Sequence, residues 1–172
     1  MDKAFPQFNP GDLLISARSL NLIFVLDPSS QKIKWWRSGG WRRQHDPDWN
    51  ATGTITLYNN NMHRQVSSIV EVNPTLYTQH ELFDGSQGQF YSWMRGKHQL
   101  LPNGHLLITS PQQGRIFEVN QKGEIVFEFL NVYEQTHKVN LLVSEGKWLD
   151  PNYFDFDPLH PPSCLSSLSA DP

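Results

Sequence analysis

Arg18, His45 and His98 are the residues whose types and placement fit chemistry on an anionic substrate. His45 lies in Arg42-Arg43-Gln44-His45-Asp46-Pro47-Asp48-Trp49, and His98 in Arg95-Gly96-Lys97-His98-Gln99-Leu100-Leu101-Pro102-Asn103-Gly104. Each stretch joins a basic cluster to one imidazole just ahead of a glycine-led, β-branched segment. A neutral imidazole near pH 7 is both a nucleophile and a proton carrier. Two such rings at equivalent places of a repeat are expected to approach a shared axis. Arg18 ends the run Leu13-Leu14-Ile15-Ser16-Ala17-Arg18, and its forked guanidinium matches paired oxygens of a carboxylate, phosphate or sulfate. The plainer alternatives are that each histidine bonds a neighbouring turn and that Arg18 pairs with Asp27 or Asp46. His63-Arg64, following Asn59-Asn60-Asn61-Met62, stands in the comparable place of the next unit and reads as a surface loop.

Other chemistries find no support. Asp46-x-Asp48-x-Asn50 imitates the start of a calcium loop, but Ala51 and Leu57 stand where glycine and a bidentate glutamate are required. No His-x-x-x-His spacing points to zinc, and neither a phosphate-cradling Gly-x-x-x-x-Gly-Lys-Ser/Thr loop nor a Gly-x-Gly-x-x-Gly turn occurs. No metal and no cofactor are therefore expected. The single Cys164 rules out an internal disulfide. Fourteen Lys+Arg against seventeen Asp+Glu give a net charge of −3, which provides no bulk attraction for nucleic acid. The longest near-apolar run, Leu20 to Leu26, falls well short of a membrane span. Met1 to Pro6 lacks the apolar segment of a signal peptide.

The elements that must position these residues come from a repeat within the 172 residues, 38% of which are hydrophobic. Ile23-Phe24, Ile69-Val70 and Ile116-Phe117 are spaced by 46 and 47 residues. Each pair runs into turn chemistry at Asp27-Pro28, Asn73-Pro74 or Asn120-Gln121-Lys122-Gly123. Each is preceded by a strand led by Gly11, Gly53 or Gly104. Aromatic strands close the first and third units at Ile33 to Trp36 and Ile125 to Phe129, and Tyr77 to Phe83 is a weaker counterpart in the second. No segment shows helical periodicity. Four strands in about 40 to 50 residues is a β-propeller blade, whereas a β-sandwich has no such regular triple repeat. The sequence thus predicts an all-β chain, a partial β-propeller of about three four-stranded blades at 5–43, 44–85 and 95–130. The first blade is expected to be short of its inner strand. An extension at 131–172 is expected to be partly irregular, with one strand near Val139 to Val143. Closed propellers use about four to eight blades, so these three are expected to be part of a larger ring. Its open faces would invite self-association or a missing N-terminal propeller segment.

Taken in order, Gly11 to Asn21, Gln44 to Trp49, Ser67 to Val72 and His98 to Gly104 resemble the arylsulfotransferase family over about residues 4 to 130, and more loosely Asp150 to Phe154. That resemblance implies a six-bladed propeller that moves a sulfuryl group from an aryl sulfate to a phenolic acceptor through a sulfohistidine, without a nucleotide donor. Arg18 matches the family's strand-end arginine and His45 its inner-strand histidine, with His98 as a secondary donor or acid/base. Aryl sulfates and phenols are then the partners, and the resemblance points to a periplasmic or secreted protein. A further His-x-Asn pair of the family would fall at or before Met1, so this chain by itself is expected to be weakly active or inactive. The competing expectations are a non-catalytic propeller that only binds, and a calcium-assisted hydrolase built on Asp46 and the Asn59 to Asn61 turn.

Overall fold

The computed structural model describes residues 4–86, 88–136 and 139–154. Cys164 and the Pro/Ser-rich end lie outside them. Strands β1 (Leu13–Ala17), β2 (Leu22–Asp27) and β3 (Lys32–Ser38) form one antiparallel sheet. A second sheet holds β4 (His45–Trp49), β5 (Ile55–Asn59), β6 (Ser68–Asn73) and β7 (Thr78–Asp84). A third holds β8 (Lys97–Leu100), β9 (Leu106–Ser110), β10 (Arg115–Val119) and β11 (Ile125–Leu130). In all three, strand order follows chain order and every neighbour is antiparallel. The only helical turns among the described residues are short 3₁₀ segments at Arg18–Leu20 and Pro111–Gln113. None of the described helices is long and apolar enough to cross a membrane.

Local chemistry explains the hairpins. After β2, β6 and β10 an acidic or amide side chain folds back onto the next backbone. Asp27 Oδ1 accepts from Ser29 and Ser30, Asn73 Oδ1 from Thr75 and Leu76, and Asn120 Oδ1 from Lys122 and Glu124. These side chains satisfy backbone donors that a tight turn would otherwise strand. In the extension, β12 (Val132–Glu134) and β13 (Val139–Asn140) form a two-stranded ribbon. The strand expected to run to Val143 stops at Asn140 because the chain leaves the ribbon to cross the third sheet. There Gly146 N–H donates to Thr109 Oγ1, and Trp148 exchanges two hydrogen bonds with Gln99.

The second sheet is buried on both sides, and the alternation of its strands divides its residues between two cores. Ile55, Leu57, Val70 and Val72 pack against Ile23, Val25 and Trp35 of the first sheet, with Phe5, Phe8 and Trp41 closing that layer. Tyr58, Ile69 and Phe83 face Leu106, Ile108, Phe117 and Val119 of the third, around Phe90. Along one edge β4 touches both β1 and β8. Counted from the leading glycines, β1 corresponds to β5 and β9, so the first sheet lacks a strand equivalent to β4 or β8.

Phe117 joins two sheets through edge contacts to Phe83 and Phe90, while Phe127 on the edge strand β11 is 51% exposed. Phe117→Ala should lower the unfolding free energy by about 3–5 kcal/mol, and Phe127→Ala by under about 1 kcal/mol. Urea denaturation of the two variants beside the parent measures both.

Candidate functional site

The segment joining the first sheet to the second is fastened to both before it becomes β4. Asn21 has a left-handed backbone (φ 52°), a conformation that asparagine tolerates better than most residues. From there its carbonyl accepts the buried Trp41 indole N–H at 2.8 Å, and its side chain accepts Arg43 N–H at 2.8 Å. Asn59 Oδ1 accepts Arg42 N–H at 2.8 Å. The fully buried Gln44 donates to Leu22 O at 2.9 Å and Ser16 Oγ at 3.1 Å. These bonds fix where His45 begins β4.

His45 Nδ1 lies 2.5 Å from Asn60 Oδ1. The fully buried Asn60 spends its NH2 group on Ser92 O and Arg95 O, both at 2.7 Å. That fixes which end of the amide is oxygen, so Nδ1 must carry the ring proton and Nε2 the lone pair. The 92–95 loop reaches Asn60 because Gly96 (φ 131°) passes over Tyr58, where a Cβ would sit 2.3 Å from the phenol ring. Burial lowers the pKa of His45 below its ordinary 6.5; the Asn60 bond opposes that shift and the Arg18 charge reinforces it.

Arg18 faces this neutral ring without a carboxylate partner among the described residues. Its Nη2 makes only long contacts of 3.5 Å to Trp93 O and Met62 Sδ, and its Nε is buried without a hydrogen bond. Both acids considered as partners are committed elsewhere. Asp27 holds its own turn, and Asp46 accepts from Lys97 Nζ at 2.7 Å and from His98 N–H at 2.8 Å. A half-buried guanidinium beside a neutral imidazole is an anion-binding arrangement.

The structure brings Arg18 and His45 together and places His98 apart from them. The two histidines are not register equivalents: His45 pairs with Tyr58, whereas Lys97 pairs with Thr109, the counterpart of Tyr58, and His98 with Ile108. A bulge between His45 and Asp48, with Asp46 at φ 51°, shifts the register by one residue. The His98 ring is fully buried, with Nδ1 3.3 Å from Asp46 Oδ2. Burial by itself would raise the Asp46 pKa, but the His98 ring and backbone together with Lys97 bring it below the usual carboxylate value. Asp48 goes the other way, raised by burial.

Asn60 is the residue that sequence reasoning missed. It lies seven residues beyond Gly53, as Arg18 lies seven beyond Gly11, so the register counterpart of Arg18 is Asn60 and not His63-Arg64. His63 and Arg64 are exposed and line a groove of about 520 Å³ with Trp41, Arg42 and Glu81. Asn59, Asn60 and Asn61 are buried in structural hydrogen bonds, and the Asp46 carboxylate goes to Lys97 and His98 instead of to that turn.

Fold and site together define an all-β protein of stacked antiparallel sheets that sets a histidine of lowered pKa beside an arginine with no carboxylate partner among the described residues. Comparison with protein families matches residues 3–132 to Arylsulfotransferase (ASST), and the chain belongs to that family. No protein of curated function matches it. Among solved structures, a protein of unknown function from Bacteroides caccae is similar at 20% identity and a TM-score of 0.44, over 70% of this chain. The chain spans about 40% of the length of that structure.

Ring ¹⁵N NMR tests the site directly. His45 should show the Nδ1–H tautomer and titrate below 6.5, remaining neutral until the pH falls beneath that value. Arg18→Met should move the midpoint up, because a neighbouring positive charge that disfavours imidazolium is gone. Asn60→Ala should abolish the tautomer preference.

Proposed function

We propose that the chain forms three consecutive blades of a six-bladed propeller, at 5–43, 44–85 and 95–130, and carries the sulfuryl-transfer residues of an arylsulfotransferase. The blade reading is supported by three meandering sheets stacked through two shared cores with β1, β4 and β8 along one edge. His45 Nε2 attacks the sulfur of an aryl sulfate. The S–O(aryl) bond breaks, the pair of electrons leaves with the phenolate, and an N–S bond forms. The ring keeps its Nδ1 proton on Asn60 throughout. A phenol oxygen then attacks the sulfohistidine sulfur, releases its proton to solvent, and frees His45 as the neutral imidazole. Negative charge gathers on the sulfuryl oxygens during both displacements, and the Arg18 fork meets it without first having to leave a carboxylate. One observation carries this reading: a tautomer-fixed neutral His45 stands beside an arginine with no carboxylate partner among the described residues. His98, enclosed against Asp46, is given no role in this step.

Incubation of the chain joined to the remaining blades with 4-nitrophenyl sulfate should release a burst of nitrophenolate and leave a sulfuryl mass increment on the His45 peptide. His45→Asn should remove both signals. Arg18→Lys keeps the charge but loses the fork, and should slow the burst by on the order of 10²-fold. A sulfated peptide other than the one containing His45 would overturn the assignment. Lack of both signals in the chain joined to the remaining blades would favour a non-catalytic anion-binding module.

A further inference from the structure

The bulge that displaces His98 from the His45 site also builds a second cluster. On the bulged strand β4, Asp46 and Asp48 approach the neighbouring strand β8 at His98. One oxygen of each carboxylate and one ring nitrogen of His98 lie within 4.8 Å of one another. Two features distinguish this group from an acidic patch. The His98 ring is fully enclosed: Nδ1 has only Asp46 Oδ2, at 3.3 Å, an oxygen that also accepts from the His98 backbone N–H at 2.8 Å, and Nε2 is buried with no hydrogen bond. Asp48 is the most exposed of the three, so a solvent-facing carboxylate and an enclosed ring with an unpartnered Nε2 lie in one group. The Lys97 ammonium satisfies only Asp46 Oδ1, at 2.7 Å.

We infer that Asp46, Asp48 and His98 form a binding site for a zinc-type divalent cation between β4 and β8, separate from the Arg18–His45 pair. Two carboxylate oxygens and one imidazole nitrogen are a borderline donor set that suits zinc and its first-row neighbours, while calcium and magnesium prefer oxygen alone. Ligand atoms on one zinc, bound at about 2.0 to 2.2 Å, lie about 3.4 Å apart, close to the 3.3 Å between His98 Nδ1 and Asp46 Oδ2 and within about 1.4 Å of the group's 4.8 Å limit. A cleft of about 350 Å³, lined also by Trp49, Gln99, Glu145 and Lys147, reaches the cluster and provides an approach path and room for a water as fourth ligand. Lys97 competes with the metal for Asp46 and weakens the site. Local spacing could not reveal this set, because His98 is fifty residues from Asp48.

The test is calorimetric titration of the chelator-treated full chain with zinc chloride, with cobalt(II) as a spectroscopic stand-in for coordination number. One equivalent should bind and raise the melting temperature. Asp48→Asn and His98→Gln should each weaken binding tenfold or more. Lys97→Met, at a side chain 45% exposed and tolerant of change, should tighten it by on the order of tenfold, so the inference stays open to refutation even if the His98 variant misfolds. His45→Gln should bind zinc like the parent, which separates failure here from failure of the sulfuryl-transfer reading. The exposed His80–Glu71 pair and the part-exposed His105–Glu118 pair are the rival sites. Loss of binding in the His80→Gln/His105→Gln double variant would overturn the proposal. So would zinc uptake by Asp48→Asn equal to that of the parent, or a Lys97→Met protein that binds no more tightly.

Discussion

The buried amide of Asn60 accepts from His45 on one side and donates to two loop carbonyls on the other. Turning it end for end would set an NH2 group against an N–H and an oxygen against two oxygens, so the orientation is held by three bonds at once. His45 consequently has one tautomer, and its Nε2 is the atom with a lone pair to give. The loop carrying Ser92 and Arg95 is itself part of this constraint. Ser67 Oγ bonds both Asn60 O and Ser92 O, Ser92 N–H returns to Ser67 Oγ, and Gly96 lets the chain pass over the Tyr58 ring.

That network sits at the level where successive sheets end their glycine-led strands. Arg18 follows β1 and Asn60 follows β5 at the same offset, and both side chains turn toward the 92–95 loop. Stacking two sheets therefore places a guanidinium and an amide on either side of His45 without any long connection. Among the described residues the guanidinium is free of carboxylates, and the two acids considered as partners are already engaged, Asp27 by its turn and Asp46 by β8. An arginine paired with a buried acid would need that bond broken before it could meet any other anion, at a cost of several kcal/mol.

Much of the fold was legible because its signals are local. Asp27, Asn73 and Asn120 end their strands by bonding backbone groups only two to four residues away, so the repeat of these residue types marks the hairpins. The β-branched and aromatic runs between them alternate across a sheet, which is why the all-β class followed from pattern alone. Arg18 and His45 were legible by type and by the family motif. Asn60 was hidden by a more eye-catching neighbour: His63-Arg64 offered charge in the same turn, while the seven-residue offset from Gly53 pointed to an uncharged side chain.

His98 marks where sequence reading ends. Its similarity to His45, each following a basic cluster, suggested one shared site, but a single extra residue in β4 shifts the register. Aspartate tolerates a positive backbone angle better than most residues, but its type alone does not say that Asp46 adopts one here. The sequence by itself determined the strands, their turns, the family and the residue types able to handle an anion, since those rest on side chains bonding near neighbours and on the alternation of a pleated chain. Only the tertiary structure decided which nitrogen of His45 is open, that Arg18 has no carboxylate partner among the described residues, and that His98 joins Asp46 and Asp48 instead. Those outcomes depend on hydrogen bonds between distant segments and on burial between stacked sheets, where a shift of one residue turns a side chain to the opposite face.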